Sequence, residues 1–276
     1  GWFQDPSLGD VTISDLLSHT SGLPAWKPLF SISKDPEVLK ANVLQTSLVK
    51  NGVRCYSDLG MILLGHLIER ISGTTLDVLL NDWVLNPLGM NHTCFNPLDR
   101  YESDDCVATE DCGWRKKIMQ GTVHDENAYS LGGVAGHAGL FSTAKDLGVF
   151  SQMMLNTGLY GWKRIFKPET VDLFTKRANI FEGSSRCLGW DSPSGKASGG
   201  VYLSDSSFGH TGFTGTSLWI DPENAVIVIL LTNAVHPNRK NKDPVYYNWR
   251  QRIHSSVNET LGIVKKNPSL EWRKSW

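Results

Sequence analysis

Apolar residues follow a helical period over much of the first two thirds of the chain. In the segment 57–72 they recur every three or four positions, as Met61, Leu63, Leu64, Leu67, Ile68 and Ile71. This spacing predicts an amphipathic α-helix, and Gly73 is a typical residue for ending one.

Two more helices are predicted downstream. Segment 143–156 begins with Thr143 and Asp146 at the spacing of a capping box, and segment 167–177 has Pro168 in its first turn. Long irregular stretches separate the helices, notably 91–134, and loops of that length are usually functional or packed by their own side chains.

From about Leu188 the pattern changes to short runs of strand-forming residues. Strands are predicted over 201–204, 207–211, 217–220 and 225–232. The run "AVIVILL" is apolar on both faces, which predicts a central strand covered on both sides. A helix over 246–261 follows, and the basic segment 265–276 is expected to be a loose tail.

The chain length allows one large domain or two small ones, and the resemblance that the motifs below carry implies a single α+β domain over residues 1–262. A mainly helical part occupies 1–187, the sheet strands and a C-terminal helix occupy 188–262, and 263–276 forms the tail. The net charge of −1 contains no block of like charge, so no nucleic-acid partner is expected. No apolar run approaches the roughly 18 residues of a membrane span.

The chain begins Gly1-Trp2-Phe3, without an initiator methionine or a signal peptide. It is therefore expected to be a processed product or a fragment. Its five cysteines form no CxxC pair, so zinc is not expected. Cys106 and Cys112 bracket a polar loop, and the sequence leaves open whether they form a disulfide or remain two free thiols.

Five local patterns occur in a fixed order along the chain. They are "ISDLLSHTSGLP" (13–24), "YSDLGMILLGHLIERISG" (56–73), "PLGM" (87–90), "GGVAGHAGLFSTAKDL" (132–147) and "FGHTGFTGTSLWIDPE" (208–223). Together they closely resemble the serine β-lactamase-like family, which includes class C β-lactamases, D-Ala-D-Ala peptidases and esterases. The resemblance implies a β-lactamase/transpeptidase-like fold, with a helical region and an antiparallel sheet flanked by helices, truncated at the N-terminus.

The resemblance implies that Tyr56 supplies the phenol of the family's Tyr-x-Asn motif, which moves a proton to and from a serine nucleophile. A phenol has a pKa of about 10, so nearby cations must lower the pKa before it accepts a proton at neutral pH. Asp58 replaces the asparagine of that motif. An ionised aspartate only accepts hydrogen bonds, so it suits a catalytic lysine better than a substrate carbonyl.

His210, Thr211 and Gly212 stand where the family has Lys-Thr-Gly on a strand that lines the site. Histidine is a cation only part of the time near neutral pH, so recognition of a substrate carboxylate should weaken as pH rises, which favours neutral esters. Gly212 lets a substrate lie close to the strand. By resemblance the backbone N–H of Phe213 donates to the oxyanion, a contact worth about 3 kcal/mol in the transition state.

Other polar residues are assigned lesser roles. His19 in "HTSG" is expected to be structural, and Ser21 is not the nucleophile. His124, Asp125 and Glu126 are sequential neighbours rather than ligands at helical spacing, so no metal site is expected. By resemblance the loop 124–126 and "GHAG" (136–139) form a wall of the pocket, where His137 and Ala138 are expected to contact substrate.

The nucleophile is the missing part of the pattern. The family's Ser-x-x-Lys motif should precede Val11, where no such string occurs. The three strings in the chain, 31–34, 47–50 and 142–145, all follow the "HTSG" turn. Ser31 is the least excluded of their serines, and Ser142 is explained by helix capping. The nucleophile is therefore expected upstream of Gly1, either in the same protein or on a complementing N-terminal chain.

The sequence thus predicts a serine hydrolase that forms an acyl-enzyme with an ester, an amide or a peptidoglycan-like substrate and needs no cofactor. An esterase or D-amino-acid peptidase is favoured over a true β-lactamase. The chain alone is expected to be inactive, because it lacks the Ser-x-x-Lys motif. An exported, periplasmic or extracellular location follows from the resemblance. The alternative is a non-catalytic descendant of the fold that binds a ligand or partner.

Overall fold

The computed structural model describes residues 6–49, 55–180, 182–241 and 244–273. Its α-helices are α1 (Ile13–Leu17), α2 (Pro36–Leu44), α3 (Asp58–Ser72), α4 (Leu76–Leu80), α5 (Asn86–Leu88), α6 (Glu126–Ser130), α7 (Ala144–Leu155), α8 (Pro168–Thr175) and α9 (Pro244–Thr260). Its strands are β1 (Asp111–Cys112), β2 (Lys117–Ile118), β3 (Leu159–Tyr160), β4 (Lys163–Arg164), β5 (Phe208–Thr211), β6 (Ser217–Asp221) and β7 (Val226–Leu230). None of these helices is long and apolar enough to cross a membrane.

Two compact units account for most of the contacts within the chain. The first unit comprises Gly1–Cys106 with Gln120–Ser142, and the second comprises Val107–Met119 with Thr143–Trp276. Helices α1 to α6 belong to the first unit, whereas α7 to α9 and every named strand belong to the second. The predicted α+β class is confirmed, but α7 and α8 belong with the sheet rather than with the helices before them.

Helix α3 is the central element of the first unit. Ser57 caps it by accepting a hydrogen bond from the N–H of Gly60, and Gly73 ends it in the left-handed conformation at φ 71°. Its buried face runs through Leu59, Ile62 and Leu64, which pack in a core with residues of α1 and α2. The predicted stripe is wrong at its C-terminal end, because Ile68 and Ile71 lie outside this core and are exposed.

The described sheet of the second unit has the order β5-β6-β7 and is antiparallel throughout. Three of the four predicted strands are therefore present, but β6 is the central one. No strand pairs with the outer edge of β7 among the described residues. Helices α7 and α9 both contact β7, and this helix packing explains apolar residues on both of its faces.

The segment 201–204 is not a strand, although its side chains alternate as a strand's would. Val201 and Leu203 are buried against Trp219 and Leu270. The Val201 N–H donates to Ser255 Oγ at 3.2 Å, and its carbonyl accepts from the Asn267 N–H at 2.9 Å. The alternating pattern therefore reflects the burial of one face of the segment, and the segment does not pair with a β-strand.

The described part of the C-terminal segment is held in place, so the expectation of a loose tail is wrong for it. Leu270 is buried, and the N–H of Glu271 donates to the Gly195 carbonyl at 2.8 Å. Gln251 of α9 donates to the Glu271 carbonyl and accepts from the Arg273 N–H. One apolar anchor and a set of backbone contacts outweigh the basic composition of this segment.

All five cysteines are free thiols in the structure. Burial works to raise the pKa of Cys112, but hydrogen bonds from Arg115 outweigh it and lower the pKa overall. Arg115 Nε donates to Cys112 Sγ at 3.1 Å. Of the two states left open for Cys106 and Cys112, the structure has the reduced one.

The anchoring of the C-terminal segment gives a direct test. Leu270→Ala should destabilise the chain by about 2–5 kcal/mol, because it removes a fully buried side chain and leaves a cavity. Leu261→Ala is the matched control and should cost less than about 0.5 kcal/mol, since Leu261 is exposed. Urea denaturation measures both, and equal effects would mean that the segment is detached in solution.

Candidate active site

Tyr56 lies immediately before α3 and is partly exposed to solvent. Its ring packs on the imidazole of His19, with the ring centroids 4.3 Å apart and the planes tilted by 33°. His19 is buried, and its Nδ1 accepts a hydrogen bond from the N–H of Ser57 at 3.1 Å. His19 thus holds both the ring of Tyr56 and the residue that caps α3, in agreement with the structural role expected of it.

The backbone at His19 has an unusual conformation. Its φ of 60° lies in the left-handed region, which few residues other than glycine adopt. The His19 carbonyl accepts a hydrogen bond from the N–H of Cys55 at 3.1 Å. Contacts on both sides of the residue therefore keep the "HTSG" turn in a shape that presents the imidazole to Tyr56.

Asp58 is the first residue of α3, and its N–H donates to the Ala25 carbonyl at 2.9 Å. The side chain is half-buried, and this burial is the main reason why the pKa of Asp58 is raised. The nearby carboxylate of Asp125 raises the pKa further, whereas His137 acts in the opposite direction. Asp58 therefore gains a proton more readily than an exposed aspartate and, once protonated, can donate a hydrogen bond as an asparagine does.

His137 is joined to Asp125 by a hydrogen bond of 2.8 Å between Nε2 and Oδ1. Burial works to raise the pKa of Asp125, but this bond, the charge of His137 and a bond from the Ala128 N–H at the start of α6 lower the pKa overall. An ionised carboxylate only accepts, so Nε2 of His137 carries the proton. The other ring nitrogen, Nδ1, is buried and has no hydrogen-bond partner among the described residues.

A close contact between two backbones places His137 near Asp58. A Cβ added to Gly136 would come within 2.1 Å of the Met61 carbonyl oxygen of α3, and one added to Gly65 would come within 3.0 Å of the Gly136 nitrogen. Only glycine permits this approach at both positions. The neighbouring residues His137 and Ala138 are thereby carried on a loop that lies directly on α3.

In the second unit, His210 lies on β5 opposite Leu218 of β6. Its Nδ1 is 3.0 Å from the Thr211 carbonyl oxygen, and its Nε2 is 3.4 Å from Nη1 of Arg186. Arginine only donates, so both contacts fit a neutral imidazole with the proton on Nδ1. Arg186 forms an ion pair with Asp191 at 3.2 Å.

The pKa of His210 is lowered, first by burial and then by the charge of Arg186. Asp191 and the contact with the Thr211 carbonyl act in the opposite direction without reversing the shift. The geometry and the pKa therefore agree that His210 is neutral near pH 7.

The residues after His210 form the turn into β6. Thr211 pairs with Ser217, and the Gly212 N–H donates to the Thr216 carbonyl at 2.8 Å. A Cβ at Gly212 would come within 2.2 Å of the Thr216 hydroxyl, so a larger residue there would force the Thr216 side chain to move. Phe213 follows on the turn with an exposed ring.

The three Ser-x-x-Lys strings do not form serine–lysine pairs among the described contacts. The hydroxyl of Ser31 donates to the Pro28 carbonyl at 2.7 Å, and that of Ser142 is 2.7 Å from the Thr93 hydroxyl. Ser47 is exposed, and Lys50 lies outside the described residues. In the part of the chain that the structure describes, no group of three histidine, cysteine or acidic residues is arranged to hold a metal ion.

Comparison with known proteins gives these features a context. The family model described as "Beta-lactamase" matches residues 2–251. The chain belongs to the β-lactamase family. A β-lactamase from Mycobacterium bovis has the same fold, with a TM-score of 0.61 at 20% identity over 90% of this chain and 74% of that protein.

Two curated relatives of this β-lactamase-family chain carry names from cell-wall chemistry. It is 37% identical over 254 residues to a putative D-alanyl-D-alanine carboxypeptidase of Escherichia coli K12, covering 82% of this chain and 57% of that protein. It is 35% identical over 251 residues to an N-acetylmuramyl-L-alanine amidase of Bacillus subtilis 168, covering 82% and 56%. The chain therefore spans little more than half the length of these relatives.

The sequence did not reveal three of the residues that contact the predicted ones. Asp125 was assigned only to the pocket wall by resemblance, and its contact with His137 over 12 positions has no local signal. Arg186 and Asp191 had a weak local signal in the sequence. Their opposite charges lie on either side of the short "CLGW" segment (187–190), and a turn there pairs the two residues.

The raised pKa of Asp58 predicts a pH-dependent effect on stability. The folded state holds the Asp58 proton more tightly than the unfolded state, so this group costs stability as pH rises through its folded pKa. Asp58→Asn removes that cost. We expect the variant to melt above the parent at pH 7, with the advantage shrinking as pH falls through the folded pKa of Asp58 and lost below its unfolded pKa of about 4. Thermal melts across pH test this, with the exposed Asp104→Asn as control.

The charges around His210 predict shifts of opposite sign. Arg186→Gln should raise the pKa of His210, because a nearby cation is lost, and Asp191→Asn should lower the pKa further. NMR titration of the imidazole Cε1–H signals measures both. His254 is the internal control: burial lowers its pKa to about 4, and that value should stay unchanged. Shifts in the same direction would contradict the assigned arrangement.

Proposed function

We propose that this chain carries the general base and a substrate-binding strand of a serine hydrolase that acts through an acyl-enzyme. Its substrates are esters or amides, with peptidoglycan-like peptides as the preferred class. The observation that carries the proposal is the arrangement at the start of α3, where His19 holds a partly exposed Tyr56 two residues before a half-buried Asp58. The carboxypeptidase and amidase names of the relatives support the substrate class.

Tyr56 acts as the base in this proposal. Its phenolate oxygen takes the proton of the serine hydroxyl as the serine oxygen attacks the carbonyl carbon, and the proton then passes to the leaving group. Water then attacks the acyl carbon as the Tyr56 oxygen takes a proton from it, and that proton passes to the serine oxygen as the acyl bond breaks. A lysine beside the serine lowers the phenol's pKa, and ionised Asp58 is suited to hold that lysine because it only accepts hydrogen bonds.

His210 contributes as a neutral group. With Nδ1 directed at the Thr211 carbonyl and Nε2 at Arg186, its ring orients the strand that presents Thr211 and Gly212. The Phe213 N–H is assigned to the oxyanion, and His137 and Ala138 to a substrate-contacting wall. A neutral His210 gives little attraction to a substrate carboxylate, so a terminal carboxylate is not required for binding.

The nucleophile is assigned to a Ser-x-x-Lys segment outside this chain. The hydroxyls of Ser31 and Ser142 are directed at Pro28 and Thr93 rather than at a lysine. The segment belongs either to a longer form of the same protein or to a complementing N-terminal chain. The cell-wall names of the relatives favour an exported, periplasmic or extracellular enzyme.

Covalent labelling tests the proposal. The 276-residue chain and a longer natural protein that contains it are each incubated with a fluorophosphonate and, separately, with a penicillin. Intact mass should show no adduct on the chain and one adduct on the longer protein, lost when its Ser-x-x-Lys serine is replaced. In the longer protein Tyr56→Phe should slow acylation by about 10²–10⁴-fold, because general-base catalysis is removed.

Two other outcomes contradict the proposal. An adduct on the 276-residue chain, removed by Ser31→Ala, would place the nucleophile within it. No adduct on the longer protein would favour the second candidate, a non-catalytic descendant that uses the fold for binding. A non-catalytic descendant gives no reason to keep Tyr56 packed on His19.

The neutral state of His210 predicts the substrate preference of the longer protein. A diacylated Lys-D-Ala-D-Ala peptide and its C-terminal amide should be cleaved with values of kcat/KM that differ less than about tenfold at pH 7.5, because a tenfold difference needs about 1.4 kcal/mol of selective binding. A strong preference for the free carboxylate would show that another cation recognises it.

A further inference from the structure

A small cavity lies in the first unit and takes no part in the site described above. Its volume is about 130 Å³, and it opens between the helical segment that contains α4 and the chain around Cys94. One wall belongs to Asn81–Leu85, a turn of π-helix inserted between α4 and α5. Such insertions are rare and frequently accompany functional sites. Tyr56, Asp58, Asp125 and His137 do not line this cavity.

Two residues of opposite charge line this cavity. They are Asp77 of α4, which is half-buried, and Arg100, which is exposed. The described contacts of these two side chains include no hydrogen bond and no ion pair, either with each other or with another residue. Both charges are thus available to a ligand that carries the complementary pair.

The remaining lining residues are uncharged and combine polar with apolar side chains. The Asn81 amide donates to Asp82 at 3.3 Å, and its oxygen accepts none of the described hydrogen bonds. Burial raises the pKa of the Cys94 thiol, so this group stays protonated near neutral pH. Leu85 and Phe95 provide an apolar wall. The cavity therefore offers one cation, one anion, an amide acceptor and a small apolar surface.

The size of the cavity limits what fits. A volume of about 130 Å³ is about four times the ~30 Å³ that one water molecule occupies in the liquid, which suits a ligand of about six non-hydrogen atoms. A molecule of that size with a carboxylate, an ammonium and almost no side chain is glycine or alanine.

We propose that this cavity binds a small zwitterionic α-amino acid. Arg100 binds its carboxylate through the guanidinium fork, and Asp77 binds its ammonium group. The hydrogen or methyl of the ligand packs on Leu85 and Phe95. This inference does not depend on the proposed hydrolase reaction.

Titration of the 276-residue chain with defined probes tests the proposal. Isothermal calorimetry and ligand-observed NMR are run with glycine, L-alanine and D-alanine, and with propionate and ethylamine as probes that carry one charge each. We expect saturable binding of the amino acids and at least tenfold weaker binding of both single-charge probes. Propionate binding as tightly as alanine would overturn the zwitterion assignment and leave a simple anion site.

Variants locate the binding. Asp77→Asn and Arg100→Gln should each weaken amino-acid binding at least tenfold, and Arg100→Lys should weaken it less, because the charge remains and the fork is lost. The matched controls, Asp104→Asn and Arg70→Gln, change the same charges on exposed residues away from the cavity lining and should leave affinity unchanged.

A filling variant keeps the test decisive if a charge variant fails to fold. Val78 lines the cavity and is partly exposed, so Val78→Phe should block binding without changing a charge. Unchanged binding in Val78→Phe or in Asp77→Asn would overturn the proposal. Absence of binding by the parent chain would do the same, and would mean that Asp77 and Arg100 pair with each other in solution.

Discussion

The first half of the site depends on the contact of two backbones at Gly65 and Gly136. At this point the loop lies so close to α3 that a Cβ on Gly136 would overlap the Met61 carbonyl oxygen. His137 follows Gly136 directly and is therefore fixed relative to Asp58 near the start of the same helix. The hydrogen bond to Asp125 then fixes the ring of His137 and decides which nitrogen carries the proton. The close packing at Gly136 thus determines where His137 lies, and the position of His137 affects the pKa of the Asp58 carboxyl group.

Both units surround a predicted catalytic residue with partners that control its charge. In the first, burial and Asp125 make ionisation of Asp58 less favourable. In the second, burial and Arg186 make protonation of His210 less favourable. Each group is therefore biased towards its neutral form, and neutral groups keep both donor and acceptor character. The family pattern places an amide-bearing asparagine where this chain has Asp58, and the raised pKa brings Asp58 closer to a form that can donate as an amide does, without requiring that form for holding a lysine.

Much of the fold was predictable because caps and periodicity act locally. Ser57 and Gly73 bound α3 as expected, Thr143 caps α7, and the strands around His210 and Trp219 lie where the pattern placed them. The errors arise where distant segments meet. Leu270 anchors a segment whose composition resembles a free tail, and the alternating residues at Val201 and Leu203 pack against it without joining a ladder.

The candidate site was predictable to the same degree. Motifs identified Tyr56, Asp58 and His210, because those residues stand within continuous strings. Their partners Asp125 and Arg186 come from other segments, and a single sequence carries no pairing information for them. Tertiary contacts determine the structure of residues 201–204 and of the basic C-terminal segment. Rules based on local sequence do not include such contacts.

The docking of the C-terminal segment also determines how the chain transmits a mechanical load. A pull on the chain beyond Arg273 acts first on the bonds between Gln251 and the segment, and then on Leu270 and the bonds at Gly195. These contacts lie in sequence along the segment, so they yield one after another rather than together. A label or domain attached after this segment is therefore held close to α9 when no force acts. Under tension it moves away from α9 step by step as these contacts break.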